Sequence, residues 1–353
     1  LRSIPLFYSI ADGRLAGLSH RGGALARAGG LGPGDVDPVG ALSVAMAGYT
    51  IGGDSIYSRL KTLTAGEYLL AGETGAAQVR RYDRYSPWQV DARPEAELEG
   101  ELADTTLAIL EKMLRSADGR QIVIPLSAGY DSRVIASGLK ALGARNVKCF
   151  SYGVDGNFEA RASEVIAREL GYEWTFVPTR SGEVKSLYRS DFMQGFLEHL
   201  DDISAVPMLQ DLPVVHLLRQ RGWIEPDCIL VNGNSGDFIS GNHIPAGFLD
   251  PNAAGLTVEA RRARLVDALI NKHFQLWDSL ATPANRAVIE RRLLQAVDLL
   301  AMPENAGDDF GLYEFLEFQD RQSKYVVSGQ RAYEYLDLDW RLPLWDCAYL
   351  DFW

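Results

Sequence analysis

Two periodicities alternate along this chain. From Glu95 to Leu114 the apolar residues Leu98, Leu102, Leu107, Leu110 and Leu114 recur near helical spacing, which predicts a long amphipathic helix. Ile122 to Leu126 breaks that period with a short β-branched run, the pattern of a strand buried on both faces, and helical spacing resumes from Val134. The alternation then repeats. Asn146 to Gly153 predicts a second strand, Glu159 to Leu170 a helix stopped by Gly171, Trp174 to Val177 a third strand, and Asp227 to Val231 a further buried one. Strand–helix–strand–helix–strand order predicts an α/β fold with an open parallel sheet, followed by a helical carboxyl-terminal half.

The first 90 residues follow a different pattern. Ile4 to Ser9 and Leu15 to Ser19 read as strands joined by a hairpin turn at Asp12-Gly13. The glycine- and alanine-rich stretch Arg21 to Asp37 reads as a loop, and Gly22-Gly23 in it is not taken as a phosphate site. Asp37-Pro38 supplies an N-cap and first helical residue for a helix over Val39 to Ala47. Ile56 to Leu63 leads into a turn and strand over Thr64 to Leu70, whose partner is Gln78 to Tyr82 across Gly72 to Gly75. Tyr85-Ser86-Pro87-Trp88 marks a linker, so the expected domains are residues 1–90, small and α+β, and residues 91–353.

The length of 353 residues fits two domains, and 47% hydrophobic residues suffice for substantial cores. A net charge of −12 changes the picture more, because nucleic acids and anionic membrane surfaces attract clustered Lys and Arg. Neither is expected as a partner, and homo-oligomerisation is left open. Cys149, Cys228 and Cys347 lie far apart without metal-ligand spacing, which reads as reduced thiols in a cytoplasmic protein. No run of eighteen apolar residues or signal peptide is present. Leu1 is not a natural start, so residues upstream are expected. The basic run Arg261-Arg262-Ala263-Arg264 reads as a solvated helix face, and the acidic cluster Glu198, Asp201 and Asp202 reads as surface, with substrate contact as the alternative.

Candidate chemistry gathers where the first buried strand ends. Ser127-Ala128-Gly129-Tyr130-Asp131-Ser132 forms a tight turn into a helix, where small residues and unpaired helical N–H groups can wrap an anion. An ordinary strand–turn–helix with a Ser-Asp cap fits the same residues. It is not a Walker loop, because no Gly-Lys-Ser/Thr pair closes it. Leu126 to Ser132 resembles the pyrophosphate-binding loop, or PP-loop, of the asparagine synthetase superfamily, with Ala128 in place of the first glycine. A methyl fits there only if φ stays negative.

Two further segments carry the same resemblance. Asn232-Gly233-Asn234-Ser235-Gly236-Asp237, after the buried strand Asp227 to Val231, is similar to the family's Ser-Gly-Glu-Gly-x-Asp segment. Phe318 to Lys324, followed by Arg341-Leu342-Pro343-Leu344-Trp345-Asp346, is similar to its Asp-Arg…Arg-x-Pro-Phe-Leu-Asp region. The resemblance implies an adenine nucleotide alpha hydrolase-like fold for residues 91–353. In order, the pieces of residues 1–90, above all Pro5-Leu6-Phe7-Tyr8 and Leu63 to Leu70, resemble part of the same superfamily's glutaminase domain, which implies a partial glutaminase-like domain of the N-terminal nucleophile type. It implies that ATP and Mg²⁺ are the cofactors. Ser127, Ala128, Gly129, Asp131 and Ser132 would hold pyrophosphate, Ser151, Tyr152 and Gly153 would frame the nucleotide with Gly233 and Asn234, and Asp131 and Asp237 would hold the metal. Arg321 and Lys324, three residues apart on one helix face, would stabilise charge, although a solvated charged face is the plainer alternative.

The implied activity is that of an ATP-dependent amide-forming ligase, or amidotransferase. It would activate a small-molecule carboxylate as an acyl-adenylate and pass it to ammonia, glutamine-derived nitrogen or an amine, in surface-polysaccharide or specialised-metabolite synthesis. Asn234 stands where the family carries a glutamate, so the acid–base arrangement must differ; His243 is the candidate replacement. No cysteine precedes Cys149, so either a glutaminase nucleophile lies upstream or the first domain is a degenerate half. In either case these residues are expected not to hydrolyse glutamine. The alternatives are a catalytically inactive nucleotide-binding scaffold, a cyclising amide synthetase, and a sulfur-transfer enzyme, for which Cys149 is the candidate thiol.

Overall fold

The computed structural model describes residues 3–73, 75–87, 91–249, 255–298 and 300–353. Trp88 of the expected linker and Thr74 of the expected hairpin turn lie outside them. The chain divides into two units, one made of residues 1–90, 201–207 and 243–328, the other of 91–200, 208–242 and 329–353. Residues 201–207 and 243–328 therefore group with the amino-terminal segment.

In the first unit, β1 (Phe7–Ala11), β2 (Arg14–Ser19) and β3 (Lys61–Thr62) form an antiparallel sheet in the order β2-β1-β3, and β4 (Glu67–Ala71) pairs with β5 (Ala77–Arg81) as a separate hairpin. Between β2 and β3 lie α1 (Gly22–Ala28) and α2 (Pro38–Ala47), the latter capped by the Asp37 carboxylate, which accepts from Gly40 N–H at 2.7 Å. Helix α1 corrects the expected loop. Its cap is supplied from far along the chain: Gly23 N–H donates to Asp201 O at 3.1 Å and Ala24 N–H to Asp201 Oδ2 at 2.7 Å. A Cβ on Gly23 would lie 2.1 Å from Asp201 Oδ1, so glycine here permits close approach. Asp201 is accordingly a buried cap and not a surface acid.

The second unit begins with α3 (Glu95–Ala117) and continues as β6 (Ile122–Pro125), α4 (Tyr130–Ala141), β7 (Val147–Gly153), α5 (Phe158–Leu170), β8 (Glu173–Pro178), α6 (Ser181–Tyr188), α7 (Asp191–Leu200), α8 (Leu212–Gln220), β9 (Ile229–Val231) and α9 (Gly236–Ile239). The first unit resumes with α10 (Val258–His273), α11 (Pro283–Asp298), α12 (Asp309–Glu317) and a π-helical stretch, Phe318–Val327. Here Met46, Tyr49 and Ile51 pack with Leu265, Leu269, Ile289, Leu293 and Leu312 in one buried cluster. Arg261 corrects the expected solvated face: its guanidinium grips the fully buried Asp309 carboxylate, with Nη2 to Oδ1 at 2.6 Å. The second unit closes with α13 (Arg331–Glu334), β10 (Asp339–Arg341) and α14 (Cys347–Phe352).

The strands of the second unit form one all-parallel sheet in the order β10-β9-β6-β7-β8. The central β6 carries Val123 and Ile124 at 0% exposure, as a strand covered on both faces requires. Edge strand β10 pairs Trp340 with Leu230 and was not visible as an apolar run. In an open parallel sheet the crevice lies beyond the strand carboxyl ends, and here the turns after β6, β7 and β9 meet there.

Candidate functional site

The turn after β6 is organised by its own hydroxyls. Ser127 N–H donates to Ser132 Oγ at 3.1 Å, Gly129 N–H donates to Ser127 Oγ at 3.1 Å, and the two hydroxyls lie 3.2 Å apart. Ala128 is not among the described residues with positive φ, so its methyl fits the turn. No side chain caps α4, whose amino terminus opens from Gly129. Such an end, with its dipole and unpaired N–H groups, suits an anion.

The loop after β9 packs directly on this turn. A Cβ on Gly233 would lie 2.7 Å from Ser132 N, and one on Gly236 would lie 2.3 Å from Asp131 Cγ. Gly233 is therefore required by its approach to backbone, and Gly236 leaves room for the Asp131 carboxylate. Asp237 donates its backbone N–H to the Asp131 carboxylate. Burial, and then the Asp237 charge, raise the Asp131 pKa above its usual range in spite of that hydrogen bond.

Beside the two loops lies a cavity of about 260 Å³. Of the expected residues, Ser127, Asp131, Ser132, Ser151, Tyr152, Gly233 and Asn234 line it. Ala128, Gly129, Gly153 and Asp237 are not in its lining. Ser151 is held by structure, its hydroxyl 2.5 Å from both Leu126 O and Ser163 Oγ. Gly153, at φ +133, turns the chain out of β7, and Asn157 Nδ2 lies 2.9 Å from where a Cβ would stand. The lining also includes Glu159, Met208, Gln210, Asp211 and Asn232, which the sequence reading missed. Asp211 precedes Leu212-Pro213 and reads as a routine helix cap, yet its side chain makes no capping bond.

The three residues expected to be catalytic all belong to the first unit. Lys324 is buried, donating to Thr50 O at 2.6 Å, to Gly52 O, and to Asp320 Oδ1 at 2.9 Å. Its ammonium is thus engaged within the first unit by backbone carbonyls and a carboxylate, where the expectation was a phosphate contact. Arg321 lies over the Tyr325 ring at 5.4 Å. The stretch carrying both residues is π-helical, so Lys324 pairs with Asp320 four residues back, and the expected shared face with Arg321 gives way to that pairing.

His243 is buried with Nε2 3.6 Å from Glu314 Oε1, stacked on Tyr313, in a cluster that includes Glu317 and His273. Burial, then the neighbouring Glu317 charge, push the Glu314 carboxyl up to about 8. Its unfolded value is near 4.5, so the protonated group contributes stability that is present below pH 4.5 and lost as pH rises through 8. Between those limits the wild type is expected to lose stability relative to Glu314→Gln, by at most about 1.4 kcal/mol per pH unit. Denaturant unfolding of both proteins across the window checks this, and parallel profiles would refute it.

Burial pushes the Cys149 thiol, within β7, up to about 12, so it is not a ready thiolate. Among the described residues no helix is long and apolar enough to cross a membrane.

No family model matches the chain, and no curated protein matches it. Among solved structures it is similar to an NH3-dependent NAD synthetase from Campylobacter jejuni in complex with nitrate ion, with 13% identity over 58% of this chain and 97% of that one and a TM-score of 0.30. It is also similar to the U34-tRNA thiolase NcsA from Methanococcus maripaludis with its 4Fe–4S cluster, with 14% identity over 69% of this chain and 81% of that one and a TM-score of 0.26. Neither likeness is strong enough to bear on activity. The class rests on the chain itself: an α/β protein whose open parallel sheet presents a hydroxyl-rich strand–turn–helix loop at its carboxyl edge.

Proposed function

We propose that the chain is an ATP-dependent carbon–nitrogen ligase of the PP-loop, asparagine synthetase-like type, which adenylates a small-molecule carboxylate and transfers the acyl group to ammonia or an amine. The observation carrying this reading is the closure of the loops after β6 and β9 on each other, through Gly233 and Gly236, with Asp131 and Asp237 at the junction. In the reaction, a carboxylate oxygen attacks the α-phosphorus of ATP, and the bond to the bridging β-phosphate oxygen breaks, releasing pyrophosphate. The nitrogen lone pair then attacks the acyl carbon. AMP leaves with the C–O electron pair, and the nitrogen gives up a proton.

The residues present fit a divalent cation. Asp131, Glu159 and Asp211 line the cavity without a lysine or arginine among its described lining residues, so the charge of a triphosphate calls for a cation. Asp131 and the neighbouring Asp237 offer the hard oxygen ligands Mg²⁺ takes. Bound there, Mg²⁺ would neutralise phosphate charge and polarise the phosphoryl oxygens. Ser127, Gly129 and Ser132 orient the leaving pyrophosphate, and the β7 end at Tyr152 borders the nucleotide. Residues 1–90 are proposed to be a partial glutaminase-like region, and the buried thiol of Cys149 disfavours sulfur transfer.

Calorimetry with Mg-ATP, followed by a screen of carboxylic acids for ATP-dependent pyrophosphate release, tests the proposal. Binding with acid-dependent release is the expected result. Binding without release from any acid would support the inactive scaffold, and no binding would overturn the nucleotide site.

A further inference from the structure

Asp211 occupies the N-cap position of α8 but does not cap it. A capping aspartate would stabilise the helix, but this carboxylate is engaged elsewhere. It accepts from Tyr152 Oη at 2.5 Å, from Tyr333 Oη at 2.7 Å and from Asn232 Nδ2 at 3.3 Å. Asn232 Nδ2 also donates to Tyr333 Oη at 3.3 Å, so both amide hydrogens are used on this side. That fixes which way the buried amide faces.

With its nitrogen so held, Asn232 turns Oδ1 to accept the N–H of Asn234 at 2.8 Å. The next residue, Ser235, has φ +74, a left-handed conformation that persists in a non-glycine residue only when its surroundings impose it. Gly236 and Asp237 follow, and Asp237 N–H reaches the Asp131 carboxylate. A continuous series of hydrogen bonds thus runs from two tyrosine hydroxyls, through Asp211 and Asn232, to the loop that places Asp237.

We infer that Asp211 is a positioning residue, which acts through the side-chain amide of Asn232 to hold the 232–237 loop in the conformation that sets Asp237 beside Asp131. Its effect on reaction rests on the reading of these loops as an Mg-ATP site; its effect on loop conformation does not.

The test uses the full chain carrying Asp211→Asn, Asn232→Ala, or both. Asparagine at 211 has a single acceptor oxygen for three donors, and alanine at 232 removes the link itself. Without ligand, amide hydrogen exchange across residues 232–237 is expected to accelerate about fivefold to tenfold in each single variant, the effect of one hydrogen bond, and no further in the double. Mg²⁺ affinity in the presence of ATP should fall by a similar factor, again without multiplying. Tyr333→Phe removes one donor to Asp211 and the second acceptor of Asn232, and should give a smaller acceleration if Asp211→Asn fails to fold.

Unchanged loop exchange in Asp211→Asn, or in Tyr333→Phe should that variant be needed, would overturn the inference. So would losses of Mg²⁺ affinity that multiply in the double, since Asp211 would then touch substrate independently of Asn232. If the wild type binds no Mg-ATP, the ligase reading fails, while the exchange measurements still decide the positioning role.

Discussion

Asparagine at position 131 or 237 is expected to slow substrate-dependent exchange of labelled pyrophosphate into ATP by about 10² to 10³, the typical worth of one preorganised electrostatic group in a closed site. Each substitution removes a carboxylate from the junction of the two loops while keeping the side chain's size. Asp131 is half-buried against Gly236, and Asp237 holds it through a backbone N–H that Asp237→Asn leaves in place. Because the two carboxylates are proposed to share one cation, their losses should not multiply. Once one is gone, the other has less metal to hold, so the double variant should fall well short of the product of the singles. Circular dichroism on each variant separates this from unfolding. Near-normal exchange in both singles would remove the metal assignment, and strictly multiplicative losses would show that the carboxylates act on separate groups.

Lys324→Met is expected to destabilise the first unit by about 3–5 kcal/mol, because it leaves a buried carboxylate without its counter-charge. Lys324 is among the largest fully buried side chains, and its acceptors Thr50 O and Gly52 O lose their donor along with Asp320. Asp320 would keep the Gly52 N–H, at 2.9 Å, but not the ammonium. Adding Asp320→Asn should return part of the lost stability, since an amide oxygen can still accept from Gly52 while no charge remains. Urea unfolding of the single and double variants gives the comparison. A Lys324→Met protein of unchanged stability that had lost pyrophosphate exchange would support a catalytic role for this lysine instead.

What the sequence disclosed was local. Ile122 to Leu126 and Asp227 to Val231 contain β6 and β9 because a strand covered on both faces needs a continuous apolar run, and Asn146 to Gly153 contains β7 around its buried Val147, Cys149 and Phe150. The turns after β6 and β9 were legible because closeness of backbone leaves a signature of small residues, and the structure brings Gly233 and Gly236 against Ser132 and Asp131. The features that escaped depend on residues distant in the chain. Asp201 caps a helix some 180 positions earlier, which nothing near Gly22 could reveal. Lys324 and Arg321 looked like an exposed pair because helical spacing assumes an α-helix, whereas the π-helical stretch and the carbonyls of Thr50 and Gly52 take the ammonium inward. Asp211 resembled any aspartate before Leu-Pro, and its distinction is a bond it does not make.

The chain passes between the two units at 90/91, 200/201, 207/208, 242/243 and 328/329. During synthesis, Met46, Tyr49 and Ile51 emerge long before Leu265, Ile289 and Leu312, against which they pack. At about 5–20 residues per second, at least roughly ten seconds separate these segments on the ribosome. Through that interval Met46, Tyr49 and Ile51 are without the helices against which they pack. A genetic dissection at residue 91 would make the same lack of partners permanent on both sides of the cut: the first piece would lack the helices that complete its core, and the second would carry those helices with their apolar faces bare.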